Sequence, residues 1–181
     1  RAVGGFEYLY VAIDKFTKWP EVEAVGKVTA ESAVKFFKGL VCRFGVPNRV
    51  ITDNDTQFTG HTFMQYILDL GSKVCFASVA HPRNNGQAER ANAEVLRGLR
   101  TKTFDKLRKS GGHWIDELPA VLWSIRTTPN RSTGQTPFAL VYGAEAVLPT
   151  DLIYGSPRVV AFDELEQEQL RQDDQRSLRK I

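Results

Sequence analysis

Eight consecutive residues near the start, Phe6 to Ile13 (FEYLYVAI), are mostly aromatic, aliphatic or β-branched, and such a run reads as a buried strand. The polar DKFTK that follows is a turn, and Trp19 to Val25 is a second strand, so the chain opens with antiparallel pairing. Thr29 stands as an N-cap before Ala30 to Phe44, where Ala33, Phe36, Leu40, Val41 and Phe44 recur at helical spacing until Gly45 and Pro47 stop the run. Arg49 to Thr52 reads as a short strand ending in the polar DNDTQ, Phe63 to Leu70 as a short helix closed by Gly71, and Lys73 to Val79 as another strand. Ala80 to Gln87 (AHPRNNGQ) is a loop by its Pro, Asn and Gly content.

A long polar helix then runs from Ala88 to about Lys109, with Ala91, Val95, Leu99 and Leu107 toward a core and Ser110-Gly111-Gly112 at its end. His113 to Thr127 is helical in period, with Pro119 as a kink, and the loop Thr128 to Pro137 leads to Phe138–Gly143. Trp114, Trp123, Phe138 and Tyr142 are read as core residues. Glu164 to Ile181 is polar with high helix propensity and no apolar stripe, an exposed or partner-dependent helix. The order β, β, α, β, α, β, α, α is α/β with a mixed sheet flanked by helices.

At 181 residues, 42% hydrophobic and 25% charged, the chain has the balance of one globular domain. No run of 18 apolar residues is present, so no membrane partner is expected. The chain starts at Arg1 without a leader, and the N-terminus reads as a truncation. Cys42 and Cys75 sit in apolar segments and read as buried reduced thiols, which favours an intracellular compartment. With His61, His81 and His113 they form no close zinc-site spacing. The net charge of +3 is unevenly spread: from His81 to Arg131 there are ten Lys/Arg against five Asp/Glu, and from Ala144 to Ile181 eight acids against five bases. A basic middle points to a polyanion partner, although a charge run is also what a solvated face looks like.

Two carboxylates stand out. Asp53 lies where a strand emerges into a polar loop, and Glu89 in the first turn of a helix behind a loop. Taken singly, Asp53 is a turn-former and Glu89 a favourable charge on the helix dipole. Together, at the ends of a strand and a helix and followed by a basic helix, they suit divalent cations acting on phosphates, because such cations prefer oxygen ligands and take few protein carboxylates.

ITDNDTQF (Ile51 to Phe58) and HPRNNGQAERAN (His81 to Asn92) resemble the signatures of the integrase catalytic core of retroviruses and long-terminal-repeat retrotransposons, most closely the plant Gypsy type. Thirty-five residues separate Asp53 from Glu89, the spacing of that family's second and third catalytic acids. YLYVAIDKFTKWPE (Tyr8 to Glu21), FGVPNRVITD (Phe44 to Asp53) and TTPNRSTGQTPFALVYG (Thr127 to Gly143) extend the resemblance over about residues 4–165.

The resemblance implies a ribonuclease-H-like fold, with part of the first strand missing, and a catalytic core over 1–143 followed by a linker over 144–181. It implies two Mg²⁺ or Mn²⁺ ions held by three acids, no small-molecule cofactor, and phosphoryl transfer in two steps: trimming of DNA ends and strand transfer into a target. Asp53 and Glu89 match the second and third acids. The first acid would precede Arg1, Asp14 matching only the turn after the first strand here, so the fragment is expected to be inactive by itself. The family usually has Gly where Asp55 stands, and Asp tolerates a left-handed backbone there while pushing a neighbouring carboxyl pKa up.

Arg83, Asn84, Asn85 and Gln87 match the mobile active-site loop of the family. Arg90, Asn92, Arg97 and Arg100 lie on the helix with which members of the family contact DNA, and the resemblance makes Arg97 and Arg100 the candidates for phosphate contacts, or else part of a solvated face. The implied partners are double-stranded DNA, element ends and target, and further copies of the chain through the region of His113 to Arg126, with integration in the nucleus. The alternatives are a non-catalytic or domesticated nucleic-acid-binding remnant of the same fold, and a nuclease of that fold which hydrolyses without joining.

Overall fold

The computed structural model describes residues 2, 4–77, 86–103 and 114–156. It divides into two compact units, Arg1–Ala144 and Glu145–Ile181.

The first unit opens with strands β1 (Tyr8–Ile13) and β2 (Pro20–Val25), paired antiparallel with Tyr8 opposite Val25 and Ile13 opposite Pro20. Helix α1 (Ala30–Phe44) follows, and Thr29 caps it as the sequence predicts: its hydroxyl accepts from the Ser32 amide at 3.2 Å while the Ser32 hydroxyl accepts from the Thr29 amide at 2.9 Å. Gly45, at φ +82°, ends the helix in a conformation only glycine enters freely. Strand β3 (Arg49–Thr52) leads through α2 (Thr56–Thr59) and α3 (His61–Asp69) to strand β4 (Lys73–Phe76), which is parallel to β3. Helix α4 (Gly86–Thr103), α5 (Trp114–Thr127) and α6 (Pro137–Tyr142) complete the unit. In the second unit α7 (Pro149–Tyr154) starts on Pro149, with the Asp151 carboxylate accepting from the Leu148 amide at 2.8 Å.

Period-two alternation explains the layering. Tyr10 and Ala12 of β1 and Val25 of β2 face a cluster built on Ala33, Phe36 and Phe37 of α1 and Phe63 and Ile67 of α3. Leu9 and Val22, on the other face, meet Val95 and Leu99 of α4 and Leu118, Val121 and Leu122 of α5. The β1–β2 ladder is therefore covered by helices on both faces. Val50 of β3 and Val74 of β4 pack on the first cluster, which fixes the level at which β3 ends and Asp53 begins.

Several expectations are corrected. The expected mixed sheet is present as two separate ladders among the described residues, one antiparallel and one parallel. DNDTQ is not all loop: Asp55 precedes the short helix α2, its carbonyl accepting from Phe58 and Thr59. Helix α4 takes in Gly86 and Gln87, which the sequence assigns to the loop, since both can supply carbonyls to the first helical turn. Helix α7 was not legible, being a single turn that shows no period. Cys42 is exposed and not buried: at 100° per residue it lies opposite the face of Ala33 and Phe37 on α1, and Cys75 is half-buried. Trp123 and Tyr142 are 42% and 61% exposed, so they are not core residues in this chain. The readings placed on Leu107, on the segment 78–85 and on Glu164 to Ile181 fall outside the described residues.

The two helices of the second cluster meet at Gly98, where an added Cβ would stand 2.7 Å from Cγ1 of Val121. Gly98→Ala should gain about 1 kcal/mol of helix propensity but lose more to the clash against a stiff β-branched side chain, for a net destabilisation of about 1 kcal/mol. Urea unfolding of Gly98→Ala, and of Gly98→Ala combined with Val121→Ala, checks this: the second change should recover the loss caused by the first, beyond simple additivity.

Candidate active site

β3 ends on Thr52, which is buried, and the next residue, Asp53, is half-buried at the mouth of the ladder. Oδ1 of Asp53 accepts from the Asp55 amide at 3.3 Å. Burial raises the Asp53 pKa above the ordinary aspartate range, and the charge of Asp55 adds to the shift, while the amide bond opposes it. Asp55 itself takes φ −65° and ψ 147°, an extended conformation open to any residue, so a side chain there costs no backbone strain. Its Oδ2 accepts from the Gln57 amide group at 3.1 Å. The expected effect of Asp55 on its neighbour is thus present, while the left-handed conformation considered for it is not.

The raised Asp53 pKa has a direct consequence for stability. The folded state holds the proton more tightly than the unfolded one, so stability falls as pH rises from below 3.8 through the raised folded value and stays reduced above it. Asp53→Asn should lack that slope, and should be more stable than the parent at pH 7 but not at pH 3, as measured by thermal unfolding across pH.

Glu89 is exposed in the first turn of α4, where a carboxylate is favoured by the helix dipole. The side-chain charge that shifts Asp53 is that of Asp55, and not that of Glu89. Among the described residues no three His, Cys, Asp or Glu side chains gather into a group able to hold a metal ion. Carboxylate oxygens such as those of Asp53 and Glu89 fit the ligand type of Mg²⁺ or Mn²⁺, and Thr52, next to Asp53 in the chain, carries a buried hydroxyl with no partner among the described residues.

Beyond Glu89, α4 turns Ala91, Val95 and Leu99 inward. Arg90, Asn92, Arg97 and Arg100 are exposed, and three of them, Arg90, Arg97 and Arg100, fall on the side opposite Val95. Arg97 lies 4.0 Å from Glu94, a contact too exposed and long to hold it. Gln87 is half-buried, and its Oε1 accepts from the Lys18 ammonium at 3.0 Å. Arg83, Asn84 and Asn85 lie outside the described residues. Asp14 has the turn role expected of it: Oδ2 accepts from both the amide and the hydroxyl of Thr17 at 2.7 Å.

Sequence reasoning missed a second polar centre. Glu21, at the start of β2, accepts from Trp19 Nε1 at 2.7 Å, from Arg126 Nη2 at 3.0 Å and from Arg43 Nη2 at 2.9 Å. The Arg126 guanidinium also donates to the Pro20 carbonyl and stacks 4.3 Å over the Trp19 ring. Burial lowers the Arg126 pKa, and Glu21 opposes the shift. These residues, with Phe44, Val141 and Tyr142, line an open cavity of about 680 Å³. No spacing announces this centre, because its members come from four separate elements.

Residues 2–82 match the family model described as "Integrase core domain". The Gag-Pol polyprotein of avian reticuloendotheliosis virus is 33% identical over 144 residues, covering 78% of this chain and 12% of that protein. The transposon Tf2-3 polyprotein of Schizosaccharomyces pombe (strain 972 / ATCC 24843) is 28% identical over 151 residues, covering 82% of this chain and 11% of that protein. The chain thus spans about a tenth of the length of these relatives. Among solved structures, the HTLV-2 integrase catalytic core domain in complex with magnesium (trimeric form) aligns with a TM-score of 0.59 at 20% identity, covering 72% of this chain and 81% of that one. Residues 2–82 therefore carry an integrase core domain, and the chain has the ribonuclease-H-like fold of the retroviral integrase catalytic cores.

Proposed function

We propose that this chain is the central part of a Gypsy-type retrotransposon integrase, acting in the nucleus on double-stranded DNA by trimming 3′ ends and joining them to a target. The observation that carries the reading is Asp53 at the C-terminal end of β3, its carboxyl pKa raised by burial, with thirty-five residues between it and Glu89 in the first turn of a helix whose outer face continues as Arg90, Arg97 and Arg100. Asp53 and Glu89 would hold Mg²⁺ or Mn²⁺. When bound, such ions polarise an attacking oxygen and the leaving oxygen of an in-line phosphoryl displacement. The arginines neutralise backbone phosphates without reading bases, so target choice is weakly sequence-specific.

The third acid of the set would be supplied by a strand preceding Arg1 in a longer protein and adjoining β1 and β3. In support, β1 and β3 each pair with one strand only among the described residues, and the buried Thr52 hydroxyl is unpartnered there. Turnover would need that acid together with Asp53 and Glu89. The exposed aromatic rings of Phe44, Trp123 and Tyr142 support self-association through the region of α5, which sedimentation at rising concentration reads directly. A second reading, a non-catalytic nucleic-acid-binding remnant, is favoured by the fact that no three His, Cys, Asp or Glu side chains gather into a metal-holding group among the described residues.

Calorimetric titration with Mn²⁺ tests the site, with a strand-transfer assay alongside. Weak saturable binding should fall by at least about tenfold in both Asp53→Asn and Glu89→Gln, with no strand transfer by any of the three proteins. Binding indifferent to both substitutions would remove the assigned acids. Strand transfer by the unmodified chain would overturn the assignment of a third acid outside it.

A further inference from the structure

The turn between β1 and β2 is locked more firmly than a hairpin needs. Beyond the two bonds to the Asp14 carboxylate, the Asp14 carbonyl accepts from the Lys18 amide at 2.9 Å and the Asp14 amide donates to the Trp19 carbonyl at 3.0 Å. Within it Lys18 takes φ +62°, the one left-handed non-glycine residue among those described. Its ammonium donates to the carbonyl of Lys15 and, 69 positions along the chain, to Oε1 of Gln87 at 3.0 Å.

Two disfavoured features meet in this one residue. A lysine in the left-handed region carries a steric cost, and a cation beside the first turn of a helix opposes the helix dipole. Such arrangements persist where the surroundings over-determine them, and they cluster where geometry matters for function. Gln87 is in the first turn of α4, two residues before Glu89. That turn depends on outside partners, because the first amides of a helix have no bonds within it.

We propose that Lys18 is a positioning residue: the locked β1–β2 turn holds the Lys18 ammonium on Gln87 and thereby fixes the first turn of α4, which presents the Glu89 carboxylate. The role assigned to Glu89 rests on the metal site proposed above. The tether to the helix does not.

Hydrogen exchange on the whole chain tests it at the amides of Arg90, Ala91 and Asn92, which bond to the carbonyls of the first helical turn. Lys18→Met should speed exchange at these three about tenfold, with the melting temperature within about 2 °C of the parent. Lys18→Arg, which keeps a cationic donor, should restore the parent rates. Lys18→Asn tolerates the left-handed backbone but cannot reach Gln87, and should match Lys18→Met.

Mn²⁺ affinity, measured in parallel, should weaken about threefold in Lys18→Met and recover in Lys18→Arg. Unchanged exchange in Lys18→Met, or parent-like exchange in Lys18→Asn, overturns the tether. Altered exchange with Mn²⁺ affinity untouched, where Glu89→Gln abolishes it, overturns the link from tether to carboxylate. Mn²⁺ affinity indifferent to Glu89→Gln sinks the metal reading instead, and exchange alone then decides the tether.

Discussion

Phe63→Ala is expected to lower stability by about 3–5 kcal/mol, close to the whole margin of many domains. Phe63 is 1% exposed, and its ring meets Phe37 edge-on at 6.0 Å and Phe58 at 5.2 Å. Those contacts join α3 to α1 and to α2, and the same cluster carries Val50 and Val74 of the parallel ladder. Truncation opens a cavity that three elements would have to close together, and close packing allows only partial collapse. Urea unfolding should show a lower midpoint with an unchanged slope. A loss under 1 kcal/mol would mean that the cluster repacks freely and that β3 is held by other contacts.

Glu21→Ala should cost about 2–4 kcal/mol, most of it from the guanidinium it leaves behind. The Arg126 side chain is 21% exposed and Glu21 15%, so this pair is largely out of water, whereas Arg43 is half exposed and contributes less. The substitution removes the acceptor from Trp19 Nε1 and from two arginines at once. Because the penalty lies in the unpaired cation, Arg126→Met made on top of Glu21→Ala should recover more than half of the loss, which a double-mutant cycle by thermal unfolding reads out. Glu21→Gln should cost less than Glu21→Ala, since its amide oxygen can still accept from the indole or the guanidinium. If all three variants unfold like the parent, the centre has no role in stability.

Both effects come from contacts between distant segments, and this marks the limit of what the chain shows by itself. The strand β3 was legible to the residue, and α1 with its Thr29 cap, because capping and termination act over three or four neighbours. The inward positions Ala91, Val95 and Leu99 followed from helical period alone. Asp53 and Glu89 could be singled out from their local settings, a strand end and a helix start, and from the resemblance that their surrounding motifs carry. The exposure of Cys42, Trp123 and Tyr142 was not legible, since an apolar residue in an apolar run has a face only after the helix is placed on its neighbours.

Local order, then, was determined by the sequence: strands where β-branched and aromatic residues alternate, helices between a cap and a glycine, and a strand end that delivers a carboxylate. Tertiary structure alone decided which faces those elements turn to one another. It raised the Asp53 pKa by burial, gathered Glu21, Arg43 and Arg126 from three elements around Trp19 of the β1–β2 turn, and set the Lys18 ammonium on Gln87. The physical reason is range. Hydrogen-bonded turns and side-chain period act between near neighbours in the chain, whereas desolvation and ion pairing act between neighbours in space.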